Sequence, residues 1–172
     1  MIERGRVTDE DPACHWAHMA VDGRSRVLDL GCGFLDEHLR QGQRGTAHYY
    51  LAQGPEFYLG IDQNGADIEL LRGQCGDRFL CAEIVSAAQL ECFLQGERIT
   101  HLKSDVEGAE IHLAGITEPL PHLQAAAIEV HGHDVHRAVE DWLGAQGLVL
   151  YRVDQQRDCH DVHILYARRP AG

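Results

Sequence analysis

From residue 24 onward the chain alternates short apolar runs with amphipathic stretches, and that rhythm restricts it to few folds. Residues 26–31, 57–61, 79–84, 100–106, 125–130, 149–153 and 162–166 read as seven strands. Helical patterns fall between most of them, at 35–39, 66–71, 87–94, 107–116 and 136–143. Ser86 is placed to cap the third of these, and Val139, Trp142 and Leu143 recur at helical spacing in the last. Strands alternating with helices predict a parallel sheet covered on both faces. The rhythm breaks at the end. Only residues 154–161 separate the last two strands, too few for a crossover helix, so these strands should form an antiparallel hairpin. Residues 1–24 are too short for a domain and are expected to form a helix or lid segment, leaving 25–172 as the single domain.

Composition sets the outer bounds. A chain of 172 residues can bury roughly 68–70% of its extended surface, so it needs no staples. Its six cysteines (Cys14, Cys32, Cys75, Cys81, Cys92, Cys159) contain no CxxC spacing and read as reduced thiols. No run approaches the ~18–20 apolar residues of a membrane span, and residues 1–12 have no apolar signal core. A cytoplasmic protein with no membrane partner is the expectation. The 27 acidic and 15 basic side chains give a formal charge of -12, which speaks against a nucleic-acid partner. Only one of the basic residues is a lysine, Lys103.

The glycine turn after the first strand, Val27-Leu-Asp-Leu-Gly-Cys-Gly33, permits close approach of a ligand at the carboxyl end of a sheet. A dinucleotide fingerprint requires a third glycine at position 36, where this chain has Asp36 followed by Glu37. Acids there would repel a pyrophosphate at a helix N-terminus. A nicotinamide cofactor is therefore disfavoured, and a ligand with sugar hydroxyls and a cationic or zwitterionic tail fits better. Asp62, ending the second strand, can accept two ribose hydroxyl bonds. Glu83 is placed to lie near an adenine ring, while Asp77 starts its strand in a turn.

The segment Leu102-Lys-Ser-Asp-Val-Glu-Gly108 crowds charge into the end of a buried strand, where packing alone would favour Val or Ile. Lys103 and Asp105 share a strand face by the two-residue period, so the lysine can neutralise the acid, and Glu107 falls at the next helix start. His131 follows the fifth strand directly at the crevice and is the expected general base, with Asp105 orienting the acceptor. The cluster His131, His133, Asp134 and His136 is read as a helix start capped by Asp134, and no metal is assigned to it. Cys14, His15 and His18 lack enough ligands for a zinc site.

Val27–Gly33 resembles the first motif of class I S-adenosylmethionine-dependent methyltransferases. Lys103-Ser-Asp-Val-Glu-Gly-Ala-Glu110 resembles the signature of the FkbM family within that class, and Ile128-Glu-Val-His131 is similar to its fifth-strand segment. The resemblance spans residues 24–168 in element order. It implies a Rossmann-like, seven-stranded, mostly parallel sheet with an antiparallel terminal hairpin and helices on both faces. It further implies S-adenosylmethionine as cofactor and an O-methyltransferase acting on a small molecule or sugar. Carried over by residue, Asp29, Gly31 and Gly33 surround the methionine end of the cofactor, Asp62 binds its ribose, and Asp105 lies beside the transferred methyl or the substrate. Lys103 joins Asp105 and His131 in the catalytic group, Glu83 joins the cofactor set, and Glu107, Glu129, His131 and His133 line the substrate side. The chain departs from the family at Cys32, at Phe34-Leu-Asp-Glu37 and at Asp62-Gln63. A protein that keeps the fold and cofactor without turnover is the competing reading. A monomer and a homodimer that completes its pocket by pairing both stay open.

Overall fold

The expected apolar runs pair into one sheet, whose central strands Arg26–Leu30, His101–Ser104 and Ala125–His131 are buried on both faces while the edge-side strands Phe79–Cys81 and Val149–Gln155 are partly exposed. The computed structural model describes residues 2–6, 16–33, 45–156 and 159–171. Its elements run β1 (Glu3–Arg6), β2 (Arg26–Leu30), α1 (Thr46–Ala52), β3 (Phe57–Asp62), α2 (Gly65–Cys75), β4 (Phe79–Cys81) and α3 (Ala87–Gly96). They continue with β5 (His101–Ser104), α4 (Ile111–Ala114), β6 (Ala125–His131), α5 (His133–Ala145), β7 (Val149–Gln155) and β8 (Val162–Arg168). The strand order is β1-β7-β8-β6-β5-β2-β3-β4. Strand β8 runs antiparallel to both β6 and β7, and every other pairing is parallel. This is a Rossmann-like sheet with the antiparallel terminal hairpin expected from the short 154–161 connection.

The two faces are covered by different elements. Leu28, Leu30, Leu102 and Ile128 pack under α3 and α5 through Leu90, Leu94, Val139, Trp142 and Leu143. Val27, Tyr58 and Tyr166 pack on the opposite face with Trp16, Met19, Tyr50, Ile68 and Leu71. Leu28, Leu102 and Ile128 are each 0% exposed. Burying an aliphatic side chain of this kind contributes roughly 1.5–3 kcal/mol, so the central strands form the most stable part of the chain.

Several local expectations are corrected. Among the described residues the sheet has eight strands rather than seven, because Glu3–Arg6 adds parallel to the free edge of β7, within the segment expected to be a helix or lid. That strand has no apolar alternation, so its pairing comes from backbone bonds and from the Arg152–Glu3 ion pair at 2.7 Å. Helix α1 had no matching expectation. The 107–116 pattern forms only the short α4, since Glu107 (φ 32°) and Gly108 (φ 98°) adopt left-handed backbone that no helix continues through. Helix α5 begins earlier than expected, with Gly132 as N-cap; Asp134 lies within its first turn, where its charge faces the free N–H groups, rather than capping. Ser86 caps α3 as expected, accepting from the Gln89 N–H at 3.3 Å. Residues 35–39, Asp36, Glu37, Cys14 and His15 lie outside the described residues.

After β2 the chain goes outward to β3 and β4, then returns to place β5 on the other side of β2. That reversal is a topological switch point, and the carboxyl ends of β2 and β5 open a crevice there.

Candidate active site

Gly31 follows β2 with φ +68°, and a Cβ on it would lie 1.7 Å from the Asp105 carbonyl oxygen. Only glycine lets the two loops touch at the switch point. Its N–H donates to the Ile61 carbonyl at 2.8 Å, and the Asp105 N–H donates to Leu30 at 3.0 Å. The crevice beside these loops has a volume of about 480 Å³ and is lined by Gly31, Asp62, Glu83, Asp105, Glu107 and His112, with apolar neighbours Ile61, Ile84 and Val106. The structure thus gathers five of the expected residues in one place. Their carboxylates suit a ligand carrying positive charge together with hydroxyl groups. His112 was not anticipated; a lone histidine within a helical pattern carries no signal by which to find it.

Asp62 is held by the backbone around it. One oxygen accepts the Gly33 N–H at 2.8 Å and the other the Asn64 N–H at 2.8 Å. Each oxygen keeps a second lone pair that can accept a ligand hydroxyl. Gly33 itself borders that carboxylate rather than the crevice: a Cβ there would come within 2.6 Å of Asp62 Oδ2.

Lys103 and Asp29 are cross-strand neighbours in β5 and β2, and both are 0% exposed. The Lys103 ammonium lies 3.1 Å from Asp29 Oδ1, donates to the Gly31 and Leu30 carbonyls at 2.6 and 3.1 Å, and sits 4.9 Å over the Trp16 ring. Asp29 also accepts from the Tyr58 hydroxyl at 2.6 Å and the Thr46 hydroxyl at 3.3 Å. Burial pulls the lysine pKa down, but Asp29 and then Asp105 outweigh it and hold the ammonium above the usual lysine range. Both residues stand elsewhere than expected: Lys103 is enclosed beneath the glycine turn, and Asp29 braces that turn from below, neither of them lining the crevice.

Asp105 stands between this sealed pair and the crevice. One of its oxygens lies 3.8 Å from Lys103, while the other is buried without a hydrogen-bond partner. Burial raises its pKa against the pull of Lys103, and Asp29 adds to the rise. An orphaned, largely buried carboxylate oxygen at a crevice is a ready acceptor for a cationic or hydrogen-bonding ligand group.

His131, at the end of β6, is clasped by two acids. Its Nδ1 lies 2.9 Å from Glu110 Oε1 and its Nε2 3.4 Å from Glu129 Oε1. Burial, with Asp105 as the next contributor, pushes the Glu129 carboxyl up to about 7. Gln156 reaches both Glu129 oxygens at 3.4 Å. Glu110, 0% exposed, was not singled out in the sequence beyond its place in the acidic run. His133 stands apart: its side chain is 80% exposed and pairs with Asp161 at 3.3 Å on the surface. Among the described residues no group of three or more His, Cys, Asp or Glu side chains is arranged to hold a metal ion.

No family model matches the chain, and no curated protein matches it. Solved structures do. A protein of the NADB-Rossmann superfamily from Streptococcus agalactiae superposes with a TM-score of 0.60 at 14% identity, over 97% of this chain and 71% of that one. Fibrillarin from Aeropyrum pernix, with natively bound S-adenosyl-L-methionine, gives 0.56 at 15% identity over 87% and 68%. Magnesium protoporphyrin IX methyltransferase from Synechocystis PCC 6803, with bound SAM, gives 0.54 at 19% identity over 92% and 76%. At these identities the likeness establishes the fold.

Proposed function

We propose that this chain is an S-adenosylmethionine-dependent methyltransferase that methylates a hydroxyl oxygen of a small molecule or sugar. The observation that carries this reading is the imidazole of His131, held by carboxyls at both nitrogens, at the end of the strand next to the acidic switch-point crevice. Two of the solved structures with this fold hold S-adenosylmethionine, which supports the cofactor. The crevice suits it in charge, since Asp62, Glu83, Asp105 and Glu107 face a ligand that carries a sulfonium and an ammonium. The likeness of Lys103–Glu110 to the FkbM signature supports the same reading.

When bound, the cofactor supplies an electrophilic methyl group on a sulfonium. Asp62 would accept the ribose hydroxyls, Glu83 would lie on the adenine side, and Gly31 and Asp105 would border the methionine end. Glu107 and Glu129 would flank the acceptor, and His133, expected on the substrate side, lies outside it on the surface. His131 would take the proton of the acceptor hydroxyl at Nε2, and the walls of the crevice would hold the acceptor in line.

Calorimetric titration tests the cofactor half: S-adenosylmethionine and S-adenosylhomocysteine should both bind, and Asp62→Ala should weaken binding roughly ten-fold or more. No binding of either ligand would overturn the reading. For the chemical half, His131→Ala should lower turnover by roughly 10²–10⁴ in a screen of hydroxylated acceptors while leaving cofactor affinity unchanged. Unchanged turnover would remove His131 as the base.

A further inference from the structure

The clasp around His131 is asymmetric, and the asymmetry carries information. Glu110 accepts three N–H groups on two oxygens: Gly108 N–H at 2.6 Å on Oε2, and both the backbone N–H and the ring Nδ1 of His131 at 2.9 Å on Oε1. Peptide N–H groups only donate, so each oxygen is already an acceptor toward the backbone. The ring nitrogen that meets Oε1 is then the one that carries the proton. On the other side Nε2 stands 3.4 Å from Glu129, too far for a strong bond, and keeps its lone pair.

We infer that Glu110 is a positioning residue that locks His131 as the Nδ1–H tautomer, so that Nε2 is always the nitrogen free to take a proton. The inference deepens the methyltransferase reading and rests on His131 being the base. Loss of a hydroxyl proton breaks an O–H bond and forms N–H at Nε2, giving an imidazolium held between Glu110 and Glu129. Glu129, 3.4 Å from Nε2, is the carboxyl placed to receive that proton in turn, and its burial favours the protonated form. Without Glu110 the ring would be free to turn or to protonate on Nε2, and the base would be absent for part of the time. The glutamate reaches His131 only because the left-handed residues Glu107 and Gly108 fold the loop after β5 back against the end of β6.

A purely structural clip would need only the two backbone bonds, so the ring tautomer is the discriminating readout. Long-range proton–nitrogen NMR of the ¹⁵N-labelled full chain, with the His131 signals assigned by their loss in His131→Ala, should find the proton on Nδ1 near pH 7.5. In Glu110→Gln the amide offers one acceptor where two are needed, and the Nδ1–H to Nε2–H ratio should fall roughly ten-fold, the value of one charge-assisted hydrogen bond. An Nε2–H tautomer in the unsubstituted protein would overturn the inference whatever the variant does, and so would a folded Glu110→Gln with an unchanged ratio. S-Adenosylmethionine titration of the same two samples keeps the questions apart. Failure to bind it would sink the methyltransferase reading while leaving the tautomer assignment standing, and equal binding with a shifted ratio supports both.

Discussion

Two buried charge groups flank Asp105 and are built in opposite ways. Around Lys103 the charges are paired at close range: the ammonium donates to two backbone carbonyls and lies 3.1 Å from Asp29 Oδ1, which has no hydrogen-bond donor beyond that ion pair, while Asp29 Oδ2 accepts from Tyr58 and Thr46. Around His131 the matching is incomplete. Glu129 makes only 3.4 Å contacts, Asp105 has an orphaned oxygen, and the pKa values of both acids are raised. A buried charge paired with an opposite charge at close range holds a backbone in place, whereas an acid with no close counter-ion stores proton affinity that a ligand or a reaction can use. The charged segment 103–110 divides by role: Lys103 in β5 supports the glycine turn, and Asp105 and Glu110 in the loop after β5 serve the open side.

The sharpest way to break this division is Lys103→Met. It leaves the Asp29 charge buried without its counter-ion and should cost about 3–5 kcal/mol in urea unfolding. Adding Asp29→Asn should recover at least half of that loss, because the uncompensated charge is the cause. If Lys103→Met is tolerated within 1 kcal/mol, the pair is not the brace described.

A smaller effect tests the open side. The Glu129 pKa of about 7 lies above its ordinary 4.5, so the native state holds a proton that the unfolded chain releases between those values. The stability from this group is therefore complete below about pH 4.5 and is lost as pH rises to about 7. Asp105, shifted in the same direction, adds to the same trend. Glu129→Gln should flatten the decline in stability between pH 5 and 8 by roughly 2–3 kcal/mol. An unchanged slope would mean that Glu129 is as well solvated as a surface acid.

Much of this was legible in the chain. The alternation of apolar runs gave the parallel sheet, the short final connection gave the hairpin, and the crowding of charge at 102–108 located the crevice. What was not legible depends on contacts distant in sequence. The two-residue period puts Lys103 on the face of Asp105, but only the β2–β5 register sets it opposite Asp29 and under Trp16. Glu110 reads as a solvent-facing helix acid until the left-handed turn at Glu107 and Gly108 buries it. Strand β1 pairs through backbone on an open edge, and four residues containing three charges give no period to read.

The smallest expected effect marks the boundary of the open side. His133 lies two residues beyond His131, yet α5 begins there and turns its side chain to solvent, 80% exposed beside Asp161. A surface pair of this kind contributes about 0–1 kcal/mol, so His133→Ala should shift unfolding by roughly 0.5 kcal/mol or less. Cofactor affinity should stay within about two-fold, since among the described residues His133 does not line the crevice and a charge this exposed is screened by salt. A rise in acceptor KM, or a fall in turnover comparable to that of His131→Ala, would place the acceptor further out over α5. The under-matched group would then extend past β6, and the division drawn at Asp105 would have to be redrawn around a larger, more exposed substrate.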